Sequence, residues 1–74
     1  MTKEELKRFI KERVSELVRE TYWGRAEVTA CAVYHAAQVC PQAGAMLIIR
    51  IAKEEASKQI SPLAVVFRWY KRTY

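Results

Sequence analysis

Hydrophobic residues recur at helical spacing over the first twenty-two residues. Four of them form a stripe on one face of such a helix: Leu6, Ile10, Val14 and Leu17. The opposite face carries charges of both signs, as is typical of an amphipathic surface helix. Thr2 and Glu5 stand three residues apart, which is the spacing of a capping box. We therefore predict a helix over Thr2–Tyr22 that ends at Gly24, with the glycine in the left-handed conformation.

The next two segments are also predicted to be helices, and the first of them is apolar nearly all round. Arg25–Val39 is rich in alanine, which favours a helix. Ala45–Lys58 has a hydrophobic stripe at helical spacing, although Met46–Ile51 alone is also compatible with a strand. Proline and glycine in Cys40–Gly44 predict the turn between them. Because a helix that is apolar on all sides must be covered, the second helix is expected to be either the central helix or an oligomer interface. We expect the second and third helices to mediate self-association.

The last segment begins with strong helix-start residues. Ser61 suits the N-cap and Pro62 the first helical position, whereas Val65–Tyr70 has high β propensity, which leaves a strand open. On a helix, one face would be apolar, and all of its residues except Tyr74 are expected to join the core: Leu63, Val66, Phe67, Tyr70 and Tyr74. The opposite, solvent-facing side would be basic, with Trp69 at its border: Arg68, Lys71 and Arg72.

The predicted fold class is all-α, a compact bundle of four short helices in a single domain over residues 1–74. The length allows one domain, and 51% hydrophobic residues argue against disorder. The chain lacks Asp and Asn and is rich in Glu, Lys and Arg, a composition typical of thermophilic proteins. An uncharged run, Thr29–Ile49, is long enough to span a bilayer, but Pro41 and Gly44 interrupt it. With no apolar segment following Met1, we expect a cytoplasmic protein outside the membrane.

Positive charge is concentrated towards one end of the sequence. The net charge is +5, and Ser57–Tyr74 contains four bases and no acid. Basic residues interleaved with aromatics are typical of a nucleic-acid surface, where cations contact phosphates and aromatic rings stack on bases. The candidate nucleic-acid-binding residues are Lys58, Arg68, Trp69, Lys71 and Arg72.

Residues 51–72 are similar to the helix-turn-helix of bacterial and archaeal DNA-binding proteins. Ile51-Ala52-Lys53-Glu54 resembles the opening of its first helix, and Ile60-Ser61-Pro62 would begin the second. The turn lacks the motif's glycine and is about three residues longer. The resemblance implies DNA binding by a helical pair at the end of the sequence, and it identifies no base-reading residue.

Cys31 and His35 lie one helical turn apart, with Glu27 and Cys40 nearby. A structural zinc site needs four ligands, and a nucleophilic dyad needs a group that orients the imidazole. In one continuous helix the two cysteines would be about 13 Å apart, too far for a disulfide. We therefore expect no metal, no cofactor, no small-molecule substrate and no enzymatic activity.

Two functions fit these observations. The first is a small basic accessory protein that binds nucleic-acid phosphates through its last helix. The alternative is a helical protein–protein interaction module: a structural subunit of a filament, virion or complex, or an inhibitor of a partner protein. Under either function we expect a homo-oligomer.

Overall fold

A computed structural model describes all residues from 1 to 74. It contains four helices and no strand: α1 (Lys3–Glu20), α2 (Arg25–Val39), α3 (Ala45–Gln59) and α4 (Pro62–Thr73). The all-α prediction is confirmed. Both segments that were also compatible with a strand are helical.

The helix starts follow from local chemistry. The Thr2 hydroxyl accepts from the Glu5 amide at 3.2 Å, and the Glu5 carboxylate accepts from the Thr2 amide at 2.9 Å. At α4, the Ser61 hydroxyl accepts from the Ala64 amide at 3.2 Å. The prediction for Gly24 is wrong: it is the N-cap of α2 in an extended conformation, with φ −81°. The chain turns through an extended Thr21 instead, so no left-handed residue is needed.

Helices α1, α2 and α3 form a three-helix bundle around one core. Its twelve buried residues are Leu6, Ile10, Val14, Val28, Ala32, Ala36, Cys40, Ile48, Ile51, Ala52, Ala56 and Ile60. Four of them are alanines on α2 and α3, and small side chains there let the two helices approach closely. The Ser15 hydroxyl donates to the Gln59 side chain at 2.9 Å, which ties α1 to α3.

Helix α4 lies at the end of this bundle and does not form a fourth layer. The molecule is accordingly elongated, with extents of 40 × 19 × 18 Å. Arg68 is the one buried residue of α4, and Ala64 and Val65 are partly buried beside the core. The close packing of the last two helices that the helix-turn-helix resemblance implied is not seen, because α4 is attached mainly to the end of α1 and the α1–α2 connection.

Candidate interaction surface on the fourth helix

The apolar face of α4 points away from the bundle. We call its residues the α4 face: Leu63, Val66, Phe67, Tyr70 and Tyr74. All five are exposed, from 53% at Phe67 to 84% at Tyr74. The prediction that this face belongs to the core is therefore wrong. Twelve core residues are already supplied by the first three helices and Ile60, and α4 turns its opposite side towards them.

Arg68 explains this orientation. It is only 7% exposed, and its guanidinium donates to the carbonyl oxygens of Thr21 at 2.6 Å and Val18 at 3.2 Å, and also to that of Trp23. These carbonyls lie at or just beyond the end of α1, where they have no partner within the helix. A cation is also favoured there by the helix dipole. Burial lowers the pKa of the Arg68 guanidinium from its usual value, and the nearby Tyr22 opposes this change.

The predicted basic face of α4 does not exist as a solvent-facing surface. Arg68 is buried, and Arg72 forms an ion pair with Glu27 of α2. Lys71 is exposed, and its ammonium group lies 5.6 Å from the centroid of the Phe67 ring. The prediction that Arg68 is free to contact phosphates is therefore wrong, whereas Arg72 is paired but about half exposed, and its contact with phosphates stays a prediction. Both residues attach α4 to the bundle.

The two remaining predicted site residues lie apart from one another. Trp69 is exposed on α4. Lys58 lies near the end of α3, 3.9 Å from the Glu55 carboxylate, and lines a groove shared with α1. The structure thus does not bring the five predicted nucleic-acid contacts together on one surface.

Aromatic side chains pack against one another on the α4 face, and one of them comes from outside α4. Tyr22, from the α1–α2 connection, packs edge-on against Phe67 with ring centroids 6.4 Å apart. Tyr70 and Tyr74 pack against each other at 5.1 Å. Sequence reasoning made Tyr22 the last residue of the first helix and missed its position here. The helix pattern could not reveal it, because Tyr22 lies beyond the last residue of α1.

Cys31 and His35 lie next to each other on α2. The Cys31 thiol lies 4.0 Å from Nδ1 of His35, and both cysteines are free. No three side chains of the types His, Cys, Asp or Glu are grouped so that they could hold a metal ion.

No family model, curated protein sequence or solved structure matches this chain. None of the four helices combines the length and the apolar character needed to cross a bilayer. The interpretation of the α4 face therefore depends on its own geometry and chemistry.

Proposed function

We propose that this protein is a helical protein–protein interaction module, and that a second copy of the chain covers its α4 face. The observation that carries the proposal is the exposure of five neighbouring large apolar side chains on one face of α4. Scattered exposed hydrophobic residues are normal, but a contiguous patch of this kind marks an interaction surface.

The size of the patch fits a modest dimer. With side-chain areas of roughly 150–250 Å² for each aromatic residue, the α4 face exposes on the order of 700 Å². A standard interface buries about 800 Å² on each partner. Tyr22 and Trp69, both more than half exposed, border the patch and can supply the remainder. Tyrosine, tryptophan and phenylalanine are also the residue types enriched at interfaces.

The uncharged half of α4 allows a second copy to dock on the patch. Arg72 is paired with Glu27, so Lys71 is the one unpaired cation on α4. Ser61–Phe67 contains no charged side chain. In an antiparallel pair of α4 helices, the Lys71 of each copy lies opposite this uncharged half of the other. Such a two-fold contact uses the same patch on both subunits, without like charges in contact and with opposed helix dipoles.

The fold gives an independent reason for a partner. A chain of this length buries a modest core, and small domains commonly gain stability by oligomerising. We place the dimer in the cytoplasm, where Cys31 and Cys40 remain reduced thiols.

Sedimentation velocity tests the proposal. We expect the wild-type chain to be a dimer and Val66→Glu plus Tyr70→Glu to be a monomer with unchanged helical circular dichroism. Met46→Glu is the control, because Met46 is an exposed hydrophobic residue of α3 outside the patch, and this variant should stay dimeric.

A wild-type chain that remains monomeric at its highest soluble concentration would overturn the proposal, whatever other protein it binds. Dissociation by Met46→Glu, with the α4 double variant still dimeric, would place the interface on α3 and also overturn it.

A further inference from the structure

A second surface lies on another side of the bundle, between α1 and α3. Two adjoining depressions there share Lys7, Ile51 and Glu54 as lining residues. The two depressions adjoin at these shared residues, and we call the combined surface the basic groove. Its six cationic residues are Lys3, Lys7, Arg8, Lys11, Arg50 and Lys58.

The groove carries most of the excess charge of the protein. Its two acidic residues are Glu54 and Glu55, so six bases against two acids leave +4 of the chain's +5. Lys58 is the one base of the six that has a carboxylate within ion-pair distance, at 3.9 Å from Glu55. Five cations are therefore available to an external anion.

We infer that the basic groove binds the phosphate backbone of nucleic acid. Lys3, Lys7 and Lys11 recur every four residues along α1, which spaces them by about 6 Å and forms a row of about 12 Å. Arg50 and Lys58 face this row from α3. A row of cations along a groove matches the regularly spaced negative charges of a nucleic-acid backbone. Contact between the cations and the phosphates releases the counterions of the nucleic acid, and this release drives binding.

The lining disfavours the other ligands that a cationic surface attracts. Its two hydrophobic residues are Leu47 and Ile51, and Ile51 is only 5% exposed. A helix that lies on a membrane needs an apolar face to insert beside its lysines, and the groove has none. A small-molecule site is lined mainly by apolar residues, whereas this groove is lined mainly by charged ones.

The groove is separate from the α4 face, so this inference does not depend on the proposed dimer. Nucleic-acid binding by the groove is tested by fluorescence anisotropy with labelled duplex DNA and single-stranded RNA over a series of salt concentrations. We expect binding to both probes with a steep salt dependence and little sequence preference. The plot of log K against log salt has a negative slope. Lys7→Gln plus Lys11→Gln should make this slope shallower by about two, one for each lost phosphate contact.

Two controls locate the site. Lys53→Gln removes an exposed lysine of α3 that does not line the groove, and Lys71→Gln removes the unpaired cation of α4. Both should leave the salt slope unchanged. Glu54→Gln should raise the affinity for both probes, because it removes a negative charge that both parts of the groove share. Sedimentation velocity on the groove variants should show an unchanged oligomeric state.

Three results would overturn the inference. The first is no binding to either probe at low salt. The second is an equal loss of slope in Lys53→Gln or Lys71→Gln, which would indicate net charge or α4 as the cause. The third is tight binding to anionic phosphatidylserine vesicles with no binding to either nucleic acid, which would assign the groove to membranes.

Discussion

The guanidinium of Arg68 donates a hydrogen bond of 2.6 Å to the carbonyl oxygen of Thr21. This contact and those to Val18 and Trp23 join α4 to the end of α1 across more than forty residues of sequence. Arg25, the first residue of α2, joins that helix to the end of α3, since its Nε donates to the carbonyl oxygen of Ile60 at 2.8 Å. Two arginines thus satisfy carbonyl groups where helices end.

Replacing Arg68 should destabilise the protein. Arg68→Met leaves the carbonyl groups of Val18, Thr21 and Trp23 without their charged donor. A hydrogen bond to a charged group is worth about 1.5–3 kcal/mol, and bonds made by one side chain do not add. We expect the free energy of unfolding, measured with urea, to fall by roughly 2–3 kcal/mol. Arg72→Met is the control on the same helix: its pair with Glu27 is half exposed, so its loss should cost less than about 1 kcal/mol. Equal effects of the two substitutions would contradict this account of Arg68.

Dimerisation through the α4 face should make thermal stability depend on concentration. A dimer that forms only from folded chains gains stability by mass action, so the wild-type Tm should rise with protein concentration. In Val66→Glu plus Tyr70→Glu, the Tm should be independent of concentration. Differential scanning fluorimetry over a dilution series checks this, and a concentration-dependent Tm in the double variant would contradict it.

The capping box at Thr2 should contribute a pH-dependent stability. The Thr2 amide and then its hydroxyl lower the pKa of the Glu5 carboxyl from its ordinary value of 4.5. Because the folded-state pKa is the lower one, the stabilisation is present above the ordinary pKa and is lost as pH falls through the folded value. The excess stability of wild type over Glu5→Gln should therefore be present at neutral pH and vanish in acid.

Urea unfolding of both proteins at neutral pH and in steps below pH 4.5 measures this difference. Glu12→Gln is the control, because it removes the same charge from an exposed position of α1 without such main-chain partners. A Glu5 difference that stays constant with pH would contradict the prediction.

The alanines between α2 and α3 should not tolerate a larger side chain. Ala32 is fully buried, whereas Ala30 is exposed on the same helix. Ala32→Leu overfills the core and should lower the free energy of unfolding by roughly 1–3 kcal/mol. Ala30→Leu should change it by less than about 0.5 kcal/mol, as is usual for surface positions. Urea unfolding compares the two, and equal stability would show that the helices can move apart.

Much of the fold could be predicted from the sequence because its signals are local. The Thr2–Glu5 pair and the Ser61–Pro62 pair act within one helical turn, and both helix starts are where the sequence predicts them. The Gly24 prediction failed for a tertiary reason. Arg68 takes up the carbonyls at the end of α1, so the chain does not need a left-handed glycine there.

The candidate site was harder to predict. Helical spacing correctly placed Leu63, Val66, Phe67, Tyr70 and Tyr74 on one face of α4. An apolar face ordinarily packs inwards, which is why the sequence predicted core residues there and a basic solvent-facing surface opposite. Periodicity states which residues share a face, but it carries no information on which face meets the rest of the molecule.

The amino-acid sequence by itself determined the number of helices and where each begins, because capping and helical periodicity are interactions between near neighbours. Only the tertiary structure decided which side of α4 is buried, since that depends on carbonyl groups at the end of α1 that lie far away in sequence. The same holds for the basic groove, whose lysines from α1 and cations from α3 meet only when the two helices pack. The charges that the sequence concentrates near Tyr74 are used largely in attaching α4, and the exposed positive surface lies elsewhere.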